Sequence, residues 1–307
     1  MHRFVILLCT AILGGVLLIS CGSKTPSPAA TTSTPLPPTA SATPAATFTP
    51  TVPPVPLALR IDGEGISQAE FDASLAQLKQ AEESSGAQAT DEDRRKQVTA
   101  AFVDEALLAR AAREAGHTLE DAALDERIAQ IAAQRGGETG LNDWLAANGY
   151  TLESFRAALR RSLEAAWQRD QILNAVPLTA EQVHARQILV LTEAAARQVE
   201  SQVKTAGANF ATYAFGYDLS TGGDLGWFPR GYLTQPAVEE AAFALQPGEI
   251  SAIIQTPLGY HIVQVIERQA DRPLSPDARQ ALQRKALEDW LAQRRTQAAI
   301  EILTTAP

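Results

Sequence analysis

Between positions 57 and 178 the apolar residues recur at the spacing of helix faces. The segment opens on Leu57-Ala58-Leu59-Arg60-Ile61-Asp62-Gly63, where apolar and polar side chains alternate before a turn, so it predicts a short strand. Ser67-Gln68-Ala69-Glu70 is a capping box, and Phe71, Leu75 and Leu78 follow it at helical spacing. A second helix carries Val98, Phe102, Val103, Leu107 and Leu108 and should stop near Gly116. A third carries Leu124, Ile128 and Ile131, and a fourth surrounds Trp144 and Leu145. The last starts at Thr151, with Phe155, Leu159, Leu163 and Trp167 along one face. These stripes read as packing surfaces.

From 179 the pattern changes. Val183 to Val190 alternates and then runs apolar, as a central strand does. A helix through Ala194 to Lys204 follows, and another begins at Asn209. In Gly222-Gly223-Asp224-Leu225-Gly226-Trp227-Phe228 the glycines specify a tight turn into a strand, where side chains would not fit. Val238 to Leu245 forms a short helix stopped by Pro247-Gly248. Ile250 to Gln255 and Tyr260 to Val265 are strands separated by the hairpin Thr256-Pro257-Leu258-Gly259. Ser275-Pro276 then supplies an N-cap with proline at the first helical position. Leu282, Leu287, Trp290 and Leu291 lie behind it, and Ile300 and Leu303 continue the stripe. The predicted fold class is α+β: a helical domain followed by a four-stranded, mainly antiparallel sheet with surrounding helices.

The first residues have another character. Met1-His2-Arg3 precedes the apolar run Phe4 to Ile19, the length of a secretory leader and short of the roughly 20 residues that span a bilayer. The run ends in Leu18-Ile19-Ser20-Cys21, which resembles the lipobox of bacterial lipoproteins. That resemblance implies that the Cys21 thiol is diacylated and that the peptide before it, Cys9 included, is removed. From Lys24 to Pro56 the chain is almost wholly Thr, Pro, Ala and Ser, too poor in apolar area to offset its ordering entropy. It reads as an extended tether with a reach on the order of 100 Å at about 3.1 Å per residue. The expected organisation is a leader over 1–20, a lipidated tether over 21–56, a helical domain over 57–178, a sheet domain over 179–270 and a C-terminal helix over 271–307.

Charge and cysteine usage remove several functions. The net charge is −9, with no polybasic cluster, so the chain offers no field for a polyphosphate and nucleic acid is excluded as a partner. Both cysteines precede Gly22, which leaves the rest of the chain without a disulfide, a thiolate nucleophile or a zinc–cysteine site. His117, His184 and His261 are too far apart for a local metal motif, and no cofactor is expected. No nucleophile stands beside a base in a recognisable hydrolase motif.

The segment Gly-Gly-Asp-Leu-Gly-Trp-Phe, then Glu239 to Ser251, then Gly259-Tyr260-His261-Ile262, resembles the parvulin-type peptidyl-prolyl isomerases along nearly the whole of that domain. The resemblance implies rotation about the bond before proline, with two facing histidines on central strands and an acid or cysteine in a nearby loop. The second histidine is His261. Where the first is expected, before Ile188-Leu189, the sequence has Gln187. His184 does not substitute for it, because an offset of three along a strand points to the opposite face. Asp218 or Ser220 fills the polar loop position. Leu233, Val238, Phe228 and Leu258 would wall the proline pocket. The order of elements from Leu57 to Pro177 is similar to the N-terminal domain of SurA-type and PrsA-type extracytoplasmic chaperones, and the C-terminal helix to the segment that completes it. The implied partners are unfolded or proline-containing exported polypeptides, met outside a bacterial membrane to which the lipid on Cys21 holds the chain. Two functions remain open at this point: a lipid-anchored foldase with isomerase activity, and a non-catalytic holdase with a degenerate parvulin domain.

Overall fold

The computed structural model describes residues 55–303, so the leader, Cys21 and all but the last two residues of the expected tether lie outside the described residues. Among the described residues no helix is long and apolar enough to cross a membrane. The chain forms two compact units. One runs up to Phe102 and adds Glu120–Leu159 and the residues from Ile300; the other comprises Val103–Leu119 and Arg160–Ala299.

In the first unit, β1 (Leu57–Ile61) turns through Asp62 and Gly63, both at positive φ, into β2 (Glu64–Ser67). Ser67 Oγ accepts the Glu70 N–H at 3.2 Å and so caps α1 (Gln68–Ser85). The first part of α2 (Asp91–Glu114), then α3 (Asp121–Gln134), α4 (Glu138–Ala147) and the start of α5 (Leu152–Asn174) complete the helices. Leu59, Ile61, Ile66 and Phe71 are buried, and Phe71 stacks on Phe102 with ring centres 6.1 Å apart. Trp144, Tyr150 and Phe155 make a second aromatic group.

This unit also holds a correction. The apolar stripe expected to carry the C-terminal helix through Ile300 and Leu303 does not do so. That helix, α9 (Pro276–Arg295), ends at Arg295, and Ile300–Ile302 forms strand β7. β7 pairs with β1, Leu59 opposite Ile302 and Ile61 opposite Ile300, and the Leu303 N–H donates to Ala58 O at 2.8 Å. Another helical turn would satisfy only its own backbone groups, whereas a strand also pairs the open edge of β1, and this outweighs the local spacing.

In the second unit the sheet has the order β4-β3-β6-β5, antiparallel throughout: β3 (Thr179–Val190), β4 (Asp224–Pro229), β5 (Ile254–Thr256) and β6 (Gly259–Pro273). Both faces of the sheet are covered, and β3 alternates polar and apolar residues before it ends in the apolar run Ile188-Leu189-Val190. Val183, Ala185, Val263 and Val265 pack with Phe228 and with Val238, Ala242 and Phe243, the last three from α8 (Pro236–Ala244). On the other face Ile188, Val190 and Ile262 meet Ala196, Val199 and Val203 of α6 (Glu193–Val203) and Phe210 and Ala214 of α7 (Phe210–Tyr217). The α+β class with a four-stranded antiparallel sheet is as expected.

One further feature differs from the periodicity, and one follows it. The strand expected over 250–255 is regular only at Ile254–Thr256. Ser251 is the cause: its N–H donates to Val263 O at 2.8 Å, while its hydroxyl accepts the Val263 N–H at 2.9 Å, so a side-chain oxygen does the work of a strand carbonyl. The second concerns α9, which packs Leu287, Trp290 and Leu291 against Leu108, Ala109, Ala165 and Ile172 of the same unit. Arg295 makes a two-pronged contact with Asp104 there, at 2.7 and 2.5 Å.

Candidate functional site

The face of β3 and β6 covered by α8 also carries polar side chains, beyond the buried valines. Cross-strand parity puts them there: Gln187 is the register partner of Val263 and Leu189 that of His261, so all four share one face. β5 adds Ile254 opposite His261 and Thr256 opposite Gly259. The hairpin therefore places Thr256 diagonally beside His261, and Gln187 lies diagonally on its other side.

His261 is 1 % exposed and hydrogen-bonded at both ring nitrogens. Its Nδ1 lies 2.8 Å from Gln187 Oε1, and its Nε2 lies 2.8 Å from Thr256 Oγ1. An amide oxygen only accepts, so Nδ1 carries the proton. The neutral ring then accepts at Nε2, and the Thr256 hydroxyl donates to it. Thr256 Oγ1 in turn accepts the Leu258 N–H at 3.1 Å, and Gly259 O stands farther off at 3.4 Å. A single polarity runs along this line, from Leu258 N–H through Thr256 and His261 to Gln187. Burial lowers the His261 pKa below the usual imidazole value, because the desolvated site disfavours the cation. The site is thus a neutral, hydrogen-bonded imidazole on an apolar face.

The glycine turn braces this line from behind. Gly223 is buried at φ +71°, and its carbonyl accepts the Gln187 N–H at 2.8 Å. A β-carbon there would fall 2.0 Å from Gln187 O, so only glycine lets the turn lie against β3 at this point. His184 is on the opposite face, as its offset predicts. It contacts Asp224 Oδ1 at 2.9 Å and stacks on Trp227.

The other residues expected at the site are placed unequally. Asp218 is consumed by its own loop. Its carboxylate accepts from the Ser220 N–H at 2.9 Å, the Ser220 hydroxyl at 2.6 Å, the Thr221 N–H at 3.2 Å and the Thr221 hydroxyl. The two hydroxyls and two amides hold it far below the usual carboxylate range. Neither Asp218 nor Ser220 hydrogen-bonds to His261 or Gln187. Phe228 and Val238 are in the closed core, with Phe228 edge-on to Phe243 at 6.0 Å. Leu233 is half-buried against that core, and Leu258 is exposed at the hairpin tip. Leu233 has its own support: the Glu239 carboxylate accepts the N–H groups of Gly231, Tyr232 and Leu233 at 2.6, 3.0 and 3.0 Å.

Thr256 and Leu189 were not singled out from sequence. The signal for Thr256 was present: in a hairpin with the two-residue loop 257–258, position 256 sits on the same face as 261. Leu189 was legible as the register partner of His261 once the β3–β6 pairing was fixed.

Residues 179–267 match the PPIC-type PPIASE domain, and residues 46–168 match the SurA-like N-terminal domain. Over 146 residues the chain is 39% identical to Chaperone SurA of Bordetella avium, which covers 41% of this chain and 29% of that one. With Chaperone SurA of Methylobacillus flagellatus the identity is 37% over 145 residues, covering 41% of this chain and 33% of the relative. The chain spans about a third of the length of these curated relatives. Among solved structures it is similar to the peptidylprolyl isomerase PrsA of Bacillus cereus, at 19% identity over 79% of this chain and 86% of that one, with a TM-score of 0.41.

Proposed function

From the premise of a PPIC-type domain joined to a SurA-like N-terminal domain, we propose that this chain is an extracytoplasmic foldase. It isomerises Xaa-Pro bonds and shields unfolded exported polypeptides, and a lipid on Cys21 anchors it outside a bacterial membrane. The observation that carries the enzyme reading is the Thr256–His261–Gln187 line on an apolar face.

Rotation about a prolyl bond meets a barrier of about 18–20 kcal/mol, set by the loss of C–N double-bond character. No bond is made or broken, so the protein has only to bind the twisted amide better than the planar one. The planar amide is charge-separated by resonance and the twisted form less so. A desolvated, neutral surface therefore favours the twisted form, and the depressed basicity of His261 keeps that surface neutral at pH 7. Leu233 and Leu258 offer apolar contact to a proline ring, backed by Phe228 and Val238. Among the described residues the Gln187 amide N–H groups have no partner, which leaves them available to a substrate carbonyl. Asp218 and Ser220 act by shaping the loop before the glycine turn.

A second reading is favoured by one observation. Gln187 cannot exchange protons as an imidazole does, and a holdase needs no such exchange. Two measurements on the whole chain separate the readings: cis/trans exchange of a short proline peptide, and suppression of aggregation of an unfolded protein. The foldase reading expects both. Suppression without any acceleration of exchange would leave the holdase.

A further inference from the structure

We propose that His184 and Asp224, on the face of the sheet opposite His261, are positioning residues for the isomerase site, acting through the glycine turn on Gln187. The inference rests on the isomerase reading for its kinetic consequence and on geometry for the coupling itself.

The contacts form a short closed path. His184 Nε2–H donates to Asp224 Oδ1 at 2.9 Å, and the same oxygen accepts the Gly226 N–H at 2.8 Å. This one carboxylate thus ties the turn over 223–226 to β3. One residue before Asp224, the Gly223 carbonyl accepts the Gln187 N–H at 2.8 Å, and Gly223 lies so close to β3 that a β-carbon on it would strike the Gln187 carbonyl. Gln187 then accepts from His261 Nδ1 at 2.8 Å. The register between β3 and β4 is irregular between Ala185, opposite Gly226, and Arg186, opposite Asp224. A ladder with a bulge at this point does not by itself fix where Gly223 meets Gln187. The His184–Asp224 bond supplies the missing constraint. Trp227 stacks on His184 with ring centres 5.5 Å apart, and Arg272 lies 4.2 Å over the Trp227 ring, which fixes the imidazole plane.

His184 and Asp224 are partly exposed, so the pair contributes little to global stability. That separates positioning from folding. The test is made on the whole chain, with His184→Ala and Asp224→Ala beside the conservative His184→Gln and Asp224→Asn, each of which keeps a hydrogen-bonding group in place. The first readout is the imidazole nitrogen NMR signals of His261, which report its tautomer without any turnover. The second is kcat and KM for exchange of a proline peptide. Both alanine variants are expected to shift the His261 signals away from the pure Nδ1–H pattern. They should also lower kcat about tenfold, the scale of a modest misplacement of a reacting group, with KM within about twofold. Both conservative variants should restore most of each. Unchanged His261 signals in folded alanine variants would overturn the proposal, as would conservative variants no better than alanine. If the unaltered chain shows no exchange at all, the isomerase reading fails, and the NMR signals alone then decide whether the brace exists.

Discussion

Gln187 Oε1 accepts the Nδ1–H of His261 over 2.8 Å, although the two residues are not register partners: Gln187 lies opposite Val263, and His261 lies opposite Leu189. The bond is diagonal across one face, within reach of two long side chains. It sets the imidazole tautomer and so decides the role of its other neighbour. With the proton on Nδ1, Nε2 needs a donor, and Thr256 is that donor.

Thr256→Val keeps the shape of the side chain and removes this donor. A buried Nε2 then has no partner, and the expected cost is about 1–3 kcal/mol in urea unfolding. Thr256→Ser keeps the hydroxyl and should stay within about 1 kcal/mol of the unaltered chain. Equal stabilities for the two variants would contradict the hydrogen-bond assignment.

The depressed pKa of His261 has a definite sign in stability. Above about pH 6.5, the ordinary imidazole value, both folded and unfolded forms are neutral and the contribution is fully present. As pH falls below that value the unfolded chain takes up a proton while the folded chain resists, so stability is lost down to the folded pKa. Urea midpoints at pH 7.5 and 5.0 should therefore fall further for the unaltered chain than for His261→Gln, which has no group to titrate there. An equal fall would place the imidazole in water.

Gly223 and Gly226 have nearly the same backbone angle, φ +71° and +67°, and differ in surroundings. A methyl at Gly226 meets nothing within 4 Å, whereas one at Gly223 would strike the Gln187 carbonyl. Gly226→Ala should cost about 1–2 kcal/mol, the left-handed penalty alone. Gly223→Ala should cost clearly more and break the Gln187 N–H bond, which amide hydrogen exchange at Gln187 would report as lost protection.

Glu239 holds three backbone N–H groups that set Leu233. Glu239→Ala leaves them without their acceptor and should cost on the order of 2–3 kcal/mol, the scale for hydrogen bonds to a charged group. It should also raise KM for a proline peptide more than it lowers kcat, since the proposed role of Leu233 is contact with the ring and with no reacting atom. A change in kcat alone would remove Leu233 from the pocket.

Much of the scaffold was legible because local chemistry and burial agree. Ser67 and Ser275 each accept an N–H three residues on and start their helices as their sequences predict. The turn at 222–226 was legible because three of its five residues are glycines at positive φ. What was hidden depended on distant partners. Nothing between Arg295 and Ile300 breaks the helical stripe, and only the edge of β1 makes Ile300–Ile302 a strand. Ser251 looked like an ordinary strand residue, but its hydroxyl replaces a ladder carbonyl. The sequence offers Asp218 for the polar loop position near the imidazole. The hydroxyls and amides at 220 and 221 are nearer in sequence, and they take up its carboxylate.

The most direct measurement is the cis/trans exchange rate of a short proline peptide with the whole chain, compared among the unaltered protein, His261→Ala and Gln187→Leu. Gln187→Leu removes the acceptor for Nδ1–H while keeping similar bulk. The isomerase reading predicts clear acceleration by the unaltered chain, loss with His261→Ala, and a drop of about 10²-fold with Gln187→Leu, the lower end expected when a positioned polar group is removed. Acceleration that survives both substitutions, or none in the unaltered chain, would contradict it.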